Sequence, residues 1–128
     1  MEVVTPDGVI YSNEIVSLKI PGNEGMFGVL ANHAPFMTGI RVGSIEADTG
    51  SETVTFATSG GFTEVLADKT TVLAETAEIS DAIDVERAEA AVIRARERLS
   101  GKQPEIDVER AQLTLLRALN RLKVAGMK

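Results

Sequence analysis

One hexapeptide occurs twice in the C-terminal third of the chain, as Ile83-Asp84-Val85-Glu86-Arg87-Ala88 and again as Ile106-Asp107-Val108-Glu109-Arg110-Ala111. Each copy opens a run of Ala, Leu, Glu and Arg without internal Gly or Pro. Asp84 and Asp107 are suited to cap the two starts, because a carboxylate accepts from the free N–H groups of a first turn. Glu86 and Glu109 then sit where the helix dipole favours acids. Between the copies, Ser100-Gly101-Lys102-Gln103-Pro104 stops one helix and turns the chain. The pattern predicts two antiparallel helices joined by a short loop.

The apolar positions fit that hairpin. Ala88, Ala91, Ala95 and Leu99 recur at helical spacing beside Val92, and Ala111, Leu115, Ala118 and Leu122 do the same in the second helix. Folded about the loop, Ala95 faces Ala111, Ala91 faces Leu115 and Ala88 faces Ala118, a seam of small side chains that lets the backbones approach. Leu113, Leu116 and Leu119 form a second stripe. One partner helix cannot cover both stripes, so the hairpin is expected to lean on something else.

The preceding residues are read as strands. Glu2–Thr5 and Val9–Ser12 flank the turn Pro6-Asp7-Gly8. Val16, Leu18 and Ile20 alternate with Ser17 and Lys19 in a strand from Asn13 to Ile20, which Pro21-Gly22-Asn23-Glu24-Gly25 interrupts. Met26–Leu30, Phe36–Ile40, Gly43–Ala47, Thr53–Phe56, Phe62–Leu66 and Thr70–Ala74 follow, separated by turn residues at short, even spacing. That rhythm predicts an antiparallel sandwich or barrel. The fold expected is α+β: an N-terminal antiparallel β-sandwich over residues 1–80, then an antiparallel two-helix hairpin over residues 81–128. Charge changes with periodicity. Residues 1–80 hold 11 acids and 3 bases, and residues 81–128 hold 8 acids and 10 bases. An acidic first domain argues against nucleic acid as a partner. With no Cys there is neither a disulfide nor a thiolate site. No apolar run approaches the roughly 20 residues of a membrane span.

The order of these pieces resembles the epsilon subunit of the bacterial F-type ATP synthase over nearly the whole chain. The residues that carry the likeness are Pro21-Gly22-x-x-Gly25-x-x-Gly28-Val29-Leu30, His33-Ala34-Pro35, Gly60-Gly61-Phe62-x-Glu64-Val65 and Thr71-Val72-Leu73-Ala74. Ile83-Asp84-x-x-Arg87-Ala88 in addition resembles a nucleotide-binding motif of bacterial members. The resemblance implies a non-catalytic rotor subunit, peripheral on the cytoplasmic face of the cell membrane. Its sandwich would sit on the gamma subunit and against the c ring. Its hairpin would either fold down on the sandwich or extend beside gamma toward the alpha and beta subunits, where it restrains ATP hydrolysis. Met26 departs from the family, whose members often carry a polar or acidic residue there, so the resemblance does not carry a charged ring contact to this position.

The resemblance also implies no required cofactor and ATP as a regulatory ligand that favours the folded-down state. The residues that match its ATP-binding set are Glu78, Ile83, Asp84, Arg87, Ala88, Arg94, Arg117 and Arg121. Guanidinium groups bind phosphate oxygens in pairs. Arg94, Arg117 and Arg121 are therefore assigned to phosphate, and Glu78 and Asp84 to ribose or adenine donors. No carboxylate cluster demands Mg²⁺. By spacing alone, the same arginines also fit a solvated face of ion pairs with Glu86, Glu89, Glu97 and Glu109. A structural adaptor without nucleotide sensing remains the alternative. The glycines at 22, 25 and 28 lack the Lys-Ser/Thr of a phosphate loop and serve turns and bulges. His33, the sole His, has no partners for a metal site or triad.

Overall fold

A computed structural model describes residues 1–22, 25–30, 35–66, 69–101 and 108–126. Among the described residues the strands are β1 (Glu2–Thr5), β2 (Gly8–Ser12), β3 (Ser17–Gly22), β4 (Gly25–Leu30), β5 (Phe36–Ile40), β6 (Gly43–Asp48), β7 (Thr53–Thr58), β8 (Gly61–Val65), β9 (Thr70–Ala74) and β10 (Ala77–Ile79). A 3-10 turn, Ser80–Ala82, leads into helices α1 (Val85–Ser100) and α2 (Val108–Ala125). The expected α+β order, β-sandwich then helical hairpin, is the one observed. The proposed cap at Asp107, the turn residues Lys102 to Pro104, Ala67-Asp68 and Asn23-Glu24, and the loop residue His33 lie outside the described residues.

The strands run in the order β10-β7-β6-β3-β5-β8-β9-β1-β2, with β4 paired to β3 off that path. β3 serves both layers of the sandwich. Its residues Ser17–Lys19 pair with β6, while Gly22 at its far end pairs with Ile40 of β5. Residues 21 and 22, which the sequence marks as a break, therefore belong to this strand and carry it from one layer to the other. Pro21 is tolerated there because the strand changes neighbours at that point and one missing N–H does not interrupt a long ladder. Among the described residues the strand pairings are antiparallel except β1 with β9, which is parallel in the register Val3↔Val72. β10 is too short to stand out by alternation. It forms because Ala77–Ile79 continue from β9 onto the edge of β7.

Alternation places one side chain of each pair inside. Leu18, Ile20, Ile45, Ala47 and Phe56 from one layer meet Val3, Ile40, Val65, Val72 and Ala74 from the other. Phe56 is fully buried and takes the edge of Tyr11 at 5.1 Å between ring centroids, an arrangement favoured by aromatic quadrupoles. Turn chemistry follows the sequence. Gly50 N–H donates to Asp48 Oδ1 at 2.8 Å, a side chain closing its own turn.

The opposite face of β6 and β7 receives the hairpin. Ala57 of β7 packs with Ile83, Val124 and Ala125. Asn120 Nδ2 donates to Gly43 O at 2.8 Å and Thr58 O at 3.4 Å. Gly43 and Thr58 are register partners at the end of the β6–β7 ladder, so one carboxamide clasps both strands. Within the hairpin the buried positions are Ala88, Val92 and Ala95 of α1 and Ala111 and Ala118 of α2. Of the seam that the spacing predicts, Ala88, Ala95, Ala111 and Ala118 are buried, whereas Ala91, Leu99, Leu115 and Leu122 are half-buried. Leu113, Leu116 and Leu119 do not make the contact to the sandwich. They remain exposed, and the docking is carried by the neighbouring face of α2, through Asn120, Arg121 and Val124.

Asp84 caps α1 as the sequence suggests, accepting from Arg87 N–H at 3.0 Å. Asp84→Ala should therefore cost about 1 kcal/mol. The check is the urea midpoint, together with faster amide exchange confined to the first turn of α1.

Candidate functional site

The cap that starts α1 also starts a site. Asp84, Arg87, Ala88, Ala91 and Arg94 recur at three- and four-residue steps, which puts them on one face of the helix. Opposite them stand Glu78 of β10, Ala82 of the 3-10 turn and Arg121 of α2. Together these residues line a cavity of about 420 Å³, inside the roughly 300–1,000 Å³ typical of small-molecule sites. Strand, turn and both helices each contribute to its lining.

Six of the eight residues matched in sequence meet here: Glu78, Asp84, Arg87, Ala88, Arg94 and Arg121. The other two do not line the cavity. Ile83 turns to the sandwich and is buried against Ala57, Val124 and Ala125. Arg117, one turn before Arg121, reaches Glu75 instead, with 3.6 Å between Nη2 and Oε2, and its Nε is enclosed without a hydrogen-bond partner.

The charges are arranged unequally. Arg121 Nε lies 2.6 Å from Glu78 Oε1, a short charge-assisted bond between groups about one-third exposed. Arg87 and Arg94 make no ion pair among the described residues. The solvated-face reading, with each arginine paired to a helix carboxylate, is thus not the arrangement of these two. Three arginines and two carboxylates are among the residues that line the cavity. Ala82, Ala88 and Ala91 complete the lining with small side chains. This composition suits an anionic ligand that also carries hydrogen-bond donors.

Sequence reasoning overlooked Ala82, Glu75 and Asn120, and it assigned Ala91 to the hairpin seam, whereas Ala91 lines the cavity. Ala91 could have been found, because it continues the helical face of Asp84, Arg87 and Ala88. Asn120 carried no signal, since its partners are backbone carbonyls far away in sequence. Among the described residues no group of three or more His, Cys, Asp or Glu is placed to hold a metal ion. Nor is any described helix long and apolar enough to cross a membrane.

Comparison with known proteins follows the two structural parts. The family described as "ATP synthase, Delta/Epsilon chain, beta-sandwich domain" matches residues 1–80, and "ATP synthase, Delta/Epsilon chain, long alpha-helix domain" matches residues 81–126. The ATP synthase epsilon chain of Pelotomaculum thermopropionicum is 50% identical over 126 residues, covering 98% of this chain and 94% of that one. The ATP synthase epsilon chain of Bacillus subtilis is 43% identical over 126 residues, covering 98% of this chain and 96% of that one. Among solved structures, a chain of the Euglena gracilis mitochondrial ATP synthase (OSCP/F1/c-ring, rotational state 1) superposes with a TM-score of 0.80 at 22% identity. It covers 99% of this chain and 79% of that chain, a likeness of fold.

Proposed function

Because the chain belongs to the ATP synthase epsilon-chain family, we propose that it is a non-catalytic rotor subunit whose hairpin senses ATP and restrains ATP hydrolysis. The sandwich is the fixed part and the hairpin the mobile one. On this reading the sandwich seats on the gamma subunit and against the c ring. The subunit is peripheral, at the cytoplasmic face of the membrane, and the extended hairpin reaches the alpha and beta subunits. An apolar row on the outer sheet face supports such seating. Val9, Val4, Leu73 and Phe62 follow one another across β2, β1, β9 and β8 by register, and Phe62 is 57% exposed. A row of that kind on a soluble face marks a protein contact.

The observation that carries the nucleotide reading is the 420 Å³ cavity, whose lining brings Arg87, Arg94 and Arg121 together with Glu78 and Asp84. A triphosphate would lie among the arginines, with Arg121 exchanging Glu78 for a phosphate oxygen. The freed Glu78 carboxylate and Asp84 would accept from the adenine amino group or the ribose hydroxyls. Arg117, with an unpartnered Nε, stands one turn away and could swing from Glu75 to the outer phosphate. Ile83 acts indirectly, holding the start of α1 against the sandwich. Since α1, α2 and β10 all line the cavity, an undocked hairpin lacks part of the site. Binding then favours the docked state by its differential affinity.

At a free ATP concentration 100 times the dissociation constant, the docked state should gain about 2.7 kcal/mol. Calorimetry should show a higher thermal midpoint. Hydrogen exchange should show protection from Arg87 to Arg94 and around Arg121. An unchanged transition and unchanged exchange with saturating ATP would remove the sensing role and leave the structural adaptor. A Mg²⁺ dependence of the same titration would decide whether the ion accompanies the nucleotide.

A further inference from the structure

We propose that a second cleft, on the other side of α2 from the first, receives an acidic amphipathic helix of another chain. This rests on the subunit reading above. The cleft is about 350 Å³ and lies between α2 and the β3–β4 hairpin and β6. Leu116 and Leu119 form its helix wall and Met26 stands on the sandwich wall. All three are exposed, Leu116 by 52%.

Two features select the occupant. The first is charge. Arg41 and Lys123 line the cleft, neither makes an ion pair among the described residues, and no described residue lining it is acidic. The chain as a whole carries a net charge of −6, and Arg41 is one of only three bases in residues 1–80. Two cations that make no ion pair among the described residues, beside an apolar wall, complement a carboxylate-bearing surface. The second is length. Leu113 continues the leucine stripe beyond the cleft. At 1.5 Å per residue, positions 113 to 119 extend about 9 Å along the helix axis. An apolar track longer than its pocket fits a chain segment better than a small molecule. A helix laid along α2, with apolar anchors toward the leucines and acids toward Arg41 and Lys123, satisfies both features. Because the cleft has one wall on α2 and another on the sandwich, such a helix would hold the hairpin down by itself, without nucleotide.

The test uses the assembled synthase with a photoreactive benzophenone side chain at position 116. Purification of the complex first reports whether the subunit assembles; failure there is failure of the subunit reading. Illumination and peptide mapping then report what covers Leu116. The expected product joins position 116 to a helical, acidic segment of another subunit. The Arg41→Glu, Lys123→Glu double variant should lower its yield about tenfold while the subunit still assembles. Both residues are exposed, so folding should survive, and circular dichroism of the isolated chain checks that it does. Cross-links to lipid, to a second copy of this chain or to nothing in an assembled complex would overturn the proposal. So would a yield indifferent to the charge reversal.

Discussion

Arg94→Ala combined with Arg121→Ala should abolish measurable ATP binding to the isolated chain. Each arginine is assigned a charge-assisted bond to phosphate of about 1.5–3 kcal/mol, so the pair approaches 3–6 kcal/mol if the two add. The single variants should differ in a second respect. Arg94 makes no ion pair among the described residues, whereas Arg121 Nε holds Glu78 Oε1 at 2.6 Å. Loss of Arg94 should thus weaken binding and leave the ligand-free chain as stable as before. Loss of Arg121 should weaken binding and also loosen the hairpin slightly. That second effect is small, because the pair is about one-third exposed and screened by water. Calorimetric titration gives the affinities and urea denaturation without ATP gives the stabilities. Arg98, one turn beyond the cavity on α1, supplies the control. If Arg98→Ala costs as much as Arg94→Ala, the arginines act only as a diffuse positive field and the cavity is not the site.

Gly61→Ala should destabilise the sandwich by about 3–5 kcal/mol, enough to leave a marginal domain largely unfolded. Gly61 opens β8 at a φ of +145°, and an added Cβ would lie 2.0 Å from Leu73 O and 2.9 Å from the Ala74 Cα of the paired strand. Both atoms belong to backbone, so neither can give way without moving the ladder. Gly8 makes the comparison informative. It has a φ of +116° but nothing within 4 Å of its Cβ position, so Gly8→Ala should cost only the conformational strain, about 1 kcal/mol. Urea midpoints of the two variants separate steric clash from backbone strain. Similar losses at the two sites would mean that the close approach of β8 and β9 relaxes.

What was legible in the sequence depended on how local its cause is. The helix start at Asp84, the Ala seam and most strands follow from caps and periodicities within a few residues. The exchange of partners along β3 was not legible, because Pro21-Gly22 reads locally as a break and only the two-layer context keeps it extended. The parallel match of β1 with β9 joins segments that no turn signal connects. For the site, helical period brings Asp84, Arg87, Ala88 and Arg94 to one face, and family likeness added Glu78 and Arg121 from elsewhere. Nothing local distinguishes Ile83, which lies beside Asp84 in the motif yet packs on the sandwich. Nor does spacing alone separate Arg117 from Arg121. Their different partners, Glu75 and Glu78, follow from the route of β10 along β7.

The parallel pairing of β1 with β9 bears on how the protein is made. Val3 is fully buried against a strand that is translated some seventy residues later. On the ribosome the first five residues can pair with β2 through the Gly8 turn, but their other edge must wait until Val72 and Leu73 emerge. Contacts of such long range close slowly, so the nascent sandwich spends most of its synthesis with an apolar edge open. The helices, translated last, then meet a sandwich that has only just closed. A substitution that weakens the match of β1 to β9, such as Val3→Ala at the fully buried register partner of Val72, would prolong that open interval. The harm would appear as aggregation during expression rather than as a lower affinity in the purified protein.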